Sequence, residues 1–283
     1  MQHRPHPSLA GFIKSVWVSV PGDTASPSSR EHILPTGEMH LVFRLSGPKI
    51  RIFESRHMAD GLSLGHAAVG GARSGFYVKE VADSSDAVGV QLMPGAALTL
   101  LGLPASELAG QHTRLEDLWG NSVRSMQEQL AEAPMPAQKI QGLQRFLLAR
   151  LKSAPLPAAL PAMLRAAAQL KAGATVRQTV AQSGYSHRQF IQLFSHHVGL
   201  APKQYSRVQR FQRALGLLHH GVAARRVSLA DVAQDAGYSD QPHFNREFRE
   251  FSGFTPEQYR QAPVLSPNHV PLLSAGPSIL FKT

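Results

Sequence analysis

The feature that most constrains this chain is a repeat in its last third. Gly184-Tyr185-Ser186 recurs 53 residues later as Gly237-Tyr238-Ser239. Phe190, Phe194, Gly199, Pro202 and Tyr205 recur 54 residues later as Phe244, Phe248, Gly253, Pro256 and Tyr259, so the second copy has one extra residue just after its turn. Each copy contains the parts of a helix, a tight turn and a second helix. In the first, Thr175 with Gln178 three positions on predicts a capped helix that ends at Gly184, where a residue without Cβ can turn left-handed. Ser186 then caps the next helix, whose Phe190 and Phe194, four apart, face inward and leave Arg188 and Gln192 outward. In the second, Ser228 and Asp231 form the cap and Gly237 the turn. Ser239 is expected to start the following helix, with Pro242 in its third position, where a missing N–H breaks no intrahelical bond. Between the copies, residues 202–220 read as one helix with Val208, Phe211, Leu215 and Leu218 along a face. Its rise of about 1.5 Å per residue gives roughly 28 Å, close to the ~34 Å between successive major-groove faces on one side of B-DNA.

Charge follows the repeat. Residues 158–262 hold 13 Lys and Arg against 6 Asp and Glu, a net of +7, whereas residues 1–157 hold 15 against 13. A localised positive field of this kind attracts a polyanion. Solubility alone also accounts for such a charge, so the repeat and the charge have to be read together.

The first half is organised differently. Residues 38–45 alternate, with Met39, Leu41, Phe43 and Leu45 on one face, the period of a strand. Residues 51–53, 76–78 and 88–93 are shorter strand candidates. From Ala96 the period becomes helical, with helices expected over 122–133 and 137–152. The uncharged, proline-rich stretch 153–160 marks a linker. The expected division is therefore an N-terminal unit over 1–152, a linker over 153–160, a helical unit over 161–262 and a tail over 263–283. The fold class is α+β multidomain: a small barrel-like sheet with flanking helices, then an all-α double helix-turn-helix unit. In the tail, Val270, Leu272, Leu273, Ile279 and Phe281 suggest docking.

The chain has no cysteine, which excludes disulfides, thiolate metal sites and cysteine nucleophiles. Nucleophile-elbow, Walker and dinucleotide glycine patterns do not occur, so an enzyme reading has no site to rest on and no cofactor is expected. The N-terminus lacks a signal-like apolar core, and the most apolar stretch, 90–108, is broken by Pro94, Gly95, Gly102 and Pro104. No membrane partner and a cytoplasmic location are the expectation.

The segments GYSHRQFIQLFSHHVGLAPKQY and SLADVAQDAGYSDQPHFNREFREFSGFTPEQY resemble the DNA-binding unit of AraC/XylS-type transcriptional regulators, over about residues 160–261. The resemblance implies a seven-helix unit in which two recognition helices, joined by one longer helix, enter DNA. Carried over by position, base-facing residues would be His187, Arg188, Ile191 and Gln192 in the first helix and Gln241, Pro242, Asn245 and Arg246 in the second. The chemistry agrees: Arg suits guanine O6 and N7, Gln and Asn suit adenine N6 and N7, and Ile191 can touch only a thymine methyl. Phosphates would be met by Lys203, Arg207 and Arg249 and by the helix starts at Pro202 and Pro256. Methyl-transferring relatives use a cysteine, absent here.

HILPTGEMHLVF and GVQLMPGAALTLLGLPASEL resemble sensor domains found ahead of such units, although many of those have Asp and Cys where this chain has Thr36 and Glu38. His32, Glu38, His40 and Arg44 are candidates to line an effector pocket, since the last three would share a strand face; the alternative is that this face meets solvent. No metal is expected: His196-His197 and His219-His220 are adjacent in helices and point apart. Partners expected are double-stranded DNA, with an effector, RNA polymerase and a second copy of the chain as further candidates. Three functions stay open at this point: a sequence-specific regulator, a non-specific architectural DNA binder, and an interaction protein that has lost DNA binding.

Overall fold

A computed structural model describes residues 2–20, 29–53, 60–81, 85–151, 157–224, 228–264 and 266–272. Its strands are β1 (Gln2–His3), β2 (Ile13–Ser19), β3 (Ser29–Ile33), β4 (His40–Arg44), β5 (Arg51–Phe53), β6 (Leu62–Ser63), β7 (Ala67–Gly70), β8 (Tyr77–Val81), β9 (Ala87–Leu92), β10 (His112–Arg114) and β11 (His269–Leu272). They form two antiparallel sheets, one in the order β1-β2-β9-β4-β7-β10 and the other in the order β11-β3-β8-β5-β6. Helices α1 (Ala96–Leu101), α2 (Leu115–Trp119), α3 (Ser122–Glu132) and α4 (Pro136–Leu151) complete the N-terminal unit, and the rest is helical up to β11. The architecture is the α+β one expected.

The alternation of β4 explains the layering. Leu41 and Phe43 are fully buried and belong to the large apolar cluster that includes Trp119, Val123, Leu143 and Leu147 of the helices. Val42, on the opposite face, packs against a second cluster of Ile50, Ile52, Leu64 and Tyr77. One face of the first sheet therefore meets helices and the other meets the second sheet, a three-layer solution to burying both faces.

The large cluster does not stop at the linker. It runs from Leu9 and Val16 through Leu147 to Phe190, Phe211, Phe248 and Val270, so the two halves share one continuous apolar interior. Two further ties bind them. The expected docking of the tail is observed as β11, which pairs antiparallel with β3 from His269↔Ile33 to Leu272↔Arg30; Leu273, Ile279 and Phe281 lie outside the described residues. The loop 35–38 between β3 and β4 meets the long central helix α8 (Pro202–Ala224): Gln209 Nε2 donates to Thr36 O at 2.9 Å and Gln212 Nε2 donates to Pro35 O at 2.7 Å. Of the proposed linker, residues 157–159 form a turn and 153–156 lie outside the described residues.

Candidate nucleic-acid interface

The helical unit is α5 (Leu160–Lys171), α6 (Val176–Ser183), α7 (His187–Val198), α8, α9 (Leu229–Ala236), α10 (Gln241–Ser252) and α11 (Pro256–Gln261). Its local signals act as the sequence predicts. Thr175 and Ser186 each close a capping box with the glutamine three residues on, Gln178 and Gln189, and Ser228 does so with Asp231. Each such cap contributes about 1 kcal/mol. Gly184 and Gly237, at φ 79° and 88°, end α6 and α9 in the left-handed region, where a Cβ would be strained. One expectation shifts. Asp240, not Ser239, caps α10 by accepting from the His243 N–H at 2.7 Å, because the extra residue of the second copy lies inside its turn. Pro242 consequently occupies the second helical position, where its missing N–H still costs nothing.

The repeat extends to side-chain geometry. Phe194 and Tyr205 meet at 5.6 Å between ring centroids and 67° between planes, and Phe248 and Tyr259 meet at 5.7 Å and 68°. The same edge-to-face contact fixes each second helix against the helix that follows it. Phe211 on α8 contacts both Phe248 and Phe251, so α8 is the spine of the second hairpin as well. It is longer than expected, 23 residues instead of 19, or about 34 Å at 1.5 Å per residue.

The residues that the resemblance assigns to base contact differ in exposure. His187, Arg188, Gln192, Pro242 and Arg246 are exposed, while Ile191, Gln241 and Asn245 are half-buried. The Asn245 Oδ1 is enclosed and has no hydrogen-bond partner. Among the phosphate candidates, Lys203 and Arg249 are exposed and Pro202 and Pro256 are buried, so only the backbone at those two helix starts can serve an anion.

Arg207 needs correction, because its guanidinium is already engaged. Its Nε donates to Glu247 Oε2 at 2.8 Å and its Nη2 donates to Glu250 Oε2 at 2.6 Å. Arg210 joins it, with Nη2 2.9 Å from both Glu247 oxygens and Nε donating to Oε1 at 3.2 Å. Glu247 is 3% exposed on the inward side of α10. Burial alone would raise its carboxyl, but the bonds and charges of Arg207 and Arg210 outweigh burial and hold it below the ordinary glutamate range. This clamp fixes α10 on α8. The signal for it was present in the sequence: Glu247 shares the helical spacing of Phe244, Phe248 and Phe251, and a carboxylate on an apolar face needs buried cationic partners.

The four effector candidates are not brought together. His32 is buried between the units, stacked on Phe76 at 4.4 Å between centroids, tilted against Phe254 and hydrogen-bonded through Nδ1 with Ser252 O at 3.1 Å. Glu38 precedes β4 and pairs with Lys14 at 2.8 Å and with Lys171 at 3.9 Å. Arg44 turns to the loop after its strand, donating to Pro48 O at 2.8 Å. His40 and Arg44 do share a face, but that face meets the second sheet, not solvent. There His40 adjoins a set the sequence reading missed: His112, Tyr77 and Arg73, with His112 and Tyr77 rings 4.4 Å apart, Arg73 4.6 Å above Tyr77 and Arg73 Nη2 3.2 Å from His112 Nδ1. Burial, reinforced by Lys79 and Arg73, drives His40 down to about 4, and burial with Arg73 and His40 drives His112 down to about 2. Both rings are neutral at neutral pH. These residues come from four separate strands and loops, and no local pattern links them. No three His, Asp or Glu side chains among the described residues converge to hold a metal ion, and no described helix is long and apolar enough to cross a membrane.

Comparison with known proteins agrees with this geometry. Residues 179–262 match a family model described as a helix-turn-helix domain, and residues 1–114 match a domain of unknown function. The chain is 36% identical over 87 residues to the F1 operon positive regulatory protein of Yersinia pestis, which covers 31% of this chain and 28% of that protein. It is 36% identical over 72 residues to the probable transcriptional regulator LumQ of Photobacterium leiognathi, covering 25% and 27%. The match thus spans little more than a quarter of these relatives. Among solved structures, ToxT from Vibrio cholerae O395 aligns over 87% of this chain and 95% of its own at 12% identity, with a TM-score of 0.43. Residues 179–262 form a helix-turn-helix domain, whose spine helix α8 is bonded to the loop 35–38 of the N-terminal unit.

Proposed function

We propose that the chain is a transcription regulator that reads duplex DNA with α7 and α10 in adjacent major grooves. The observation that carries this reading is the pair of capped hairpins that present His187, Arg188 and Gln192 on one helix and Pro242 and Arg246 on the other, joined by a 23-residue spine. The net charge of the region supplies the attraction to phosphate. Because the two outward faces differ in sequence, one molecule reads two unlike boxes in direct, non-palindromic order. Base contacts are assigned to those residues together with Ile191, Gln241 and Asn245, and phosphate contacts to Lys203, Arg249 and the free backbone N–H groups that follow Pro202 and Pro256.

Control by an effector or a second copy of the chain enters through the N-terminal unit. The bonds from Gln209 and Gln212 to the loop 35–38 support this, since a change at that loop reaches the helix between the readers directly. Selection from a random duplex library tests the reading of DNA. Two conserved boxes one helical turn apart are expected, and Arg246→Ala should relax the preference at one position by about 1 to 3 kcal/mol. A single short box, or an unchanged preference in Arg246→Ala, would overturn the two-reader arrangement.

A further inference from the structure

Two helix ends meet on one side chain of the spine. Arg213, half-buried on α8, donates from Nη1 to Lys171 O at 2.9 Å and from Nη2 to Ala236 O at 3.3 Å. Lys171 is the last residue of α5 and Ala236 the last of α9. The final carbonyls of a helix have no donor within it and gather partial negative charge, so each end favours a cation. The two helices belong to different bodies: α5 packs against α6 and α7 of the first hairpin, and α9 against α10 of the second. The turn of the second hairpin also adjoins the guanidinium, since a Cβ on Gly237 would stand 3.9 Å from Nη2. Burial and the neighbouring Arg210 both disfavour a charge at this position, and the two carbonyls offset that cost.

We propose that Arg213 is the positioning residue that fixes the placement of α10 relative to α7. The Glu247 clamp ties α10 to α8 alone, and the apolar contacts along the spine are non-directional. The planar guanidinium is directional, and its nitrogens are held in a rigid fork. With Nη1 on one body and Nη2 on the other, a rotation of either hairpin about the spine lengthens one of the two bonds. The consequence on DNA is a fixed spacing between the two boxes. One inserted base pair carries the second box about 3.4 Å along the duplex and turns it by about 34°, which a rigid pair of helices does not follow. This consequence rests on the reading of α7 and α10 as DNA readers; their mutual placement does not.

The first arm of the test needs no DNA. The chain has no cysteine of its own, so Arg188→Cys with Arg246→Cys, both at exposed positions, puts one nitroxide label on each helix of the full chain. Pulsed electron–electron resonance then reads the distance between them, and a narrow distribution is expected. Arg213→Met, which keeps the stem and removes the donors, should broaden it. Arg213→Lys, with one nitrogen in place of the fork, should fall between the two and supplies the reading where Arg213→Met does not fold. Arg165→Met, which removes the same charge from an exposed position on α5, should keep the parent width. Parent width in Arg213→Met, or in Arg213→Lys where the former does not fold, would overturn the proposal. The second arm uses the unlabelled chain and duplexes whose boxes lie one base pair closer or farther apart than selected. The parent should lose at least about tenfold in affinity and Arg213→Met no more than about threefold. A broadened distribution in Arg213→Met together with a parent indifferent to spacing sinks the two-reader arrangement and leaves the positioning role standing. A spacing penalty that Arg213→Met retains at parent width does the reverse.

Discussion

Replacing Glu247 by Gln preserves the shape of the α10 anchor and removes its charge, which makes it the sharpest test of how α10 is held. Glu247 is nearly enclosed, at 3% side-chain exposure, whereas its partners Arg207 and Arg210 are 32% and 24% exposed. Breaking a fully buried pair costs about 3 to 5 kcal/mol, because a charge is left without compensation. Here the charges left behind are guanidiniums that reach water, so solvent screening cuts the cost to about 2 kcal/mol. The pH dependence follows from the direction of the shift. The folded-state pKa of Glu247 is depressed, so its contribution is fully present above the unfolded value near 4.5 and fades as pH falls through the lower folded value. Urea unfolding of the full chain at pH 7 and again near pH 3 is the assay. The gap between parent and Glu247→Gln should be about 2 kcal/mol at pH 7 and should narrow at the acid end. A gap under about 0.5 kcal/mol at pH 7, or one that widens on acidification, would refute the clamp. An Arg210→Met cycle separates the pair from other effects: the double variant should cost less than the sum of the two single ones.

Two other outcomes follow from the same geometry. Lys203→Ala and Arg249→Ala should weaken binding to all duplexes alike, and each should lower the slope of log affinity against log salt by about 1; a change confined to one sequence would move that residue from phosphate to base contact. Removing residues 266–283 deletes β11 and with it the His269–Glu31 contact of 3.0 Å. Amides of β3 should then exchange faster while those of α7 keep their protection, as read by hydrogen exchange, and unchanged β3 protection would show that the strap adds nothing.

The helical unit was legible in the sequence because its determinants are local. A cap acts on an N–H three residues away, a glycine turn acts on its own φ, and an apolar stripe follows the period of one helix. Thr175, Ser186, Ser228, Gly184 and Gly237 therefore each took the place that their neighbours dictate. The displaced cap at Asp240 came from a single extra residue with two adjacent side chains able to fill the same role. The β unit was legible only in part. β4, with its strong alternation, and β9 emerged close to their expected bounds, while short strands such as β6 and β10 have too few residues to show a period.

The effector candidates are dispersed for a different reason. Alternation in β4 separates its two faces but does not say what lies opposite each of them. The second sheet, built from β3, β5, β6, β8 and a strand from the far end of the chain, decides that His40 is enclosed beside His112, Tyr77 and Arg73, and that His32 lies between the units against Phe76 and Phe254. Arg207 is the same lesson in the helical unit. Its basic character and exposed-looking position are sequence properties, but whether it meets phosphate or Glu247 depends on how α10 crosses α8. Sequence alone determined the two helix-turn-helix hairpins and their outward residues, because hydrogen bonds and apolar stripes within a few residues specify them. Tertiary structure decided which charges are already paired and how the tail straps the halves together, because those depend on contacts between segments as much as 242 residues apart, as Leu272 and Arg30 are, for which the chain has no local record.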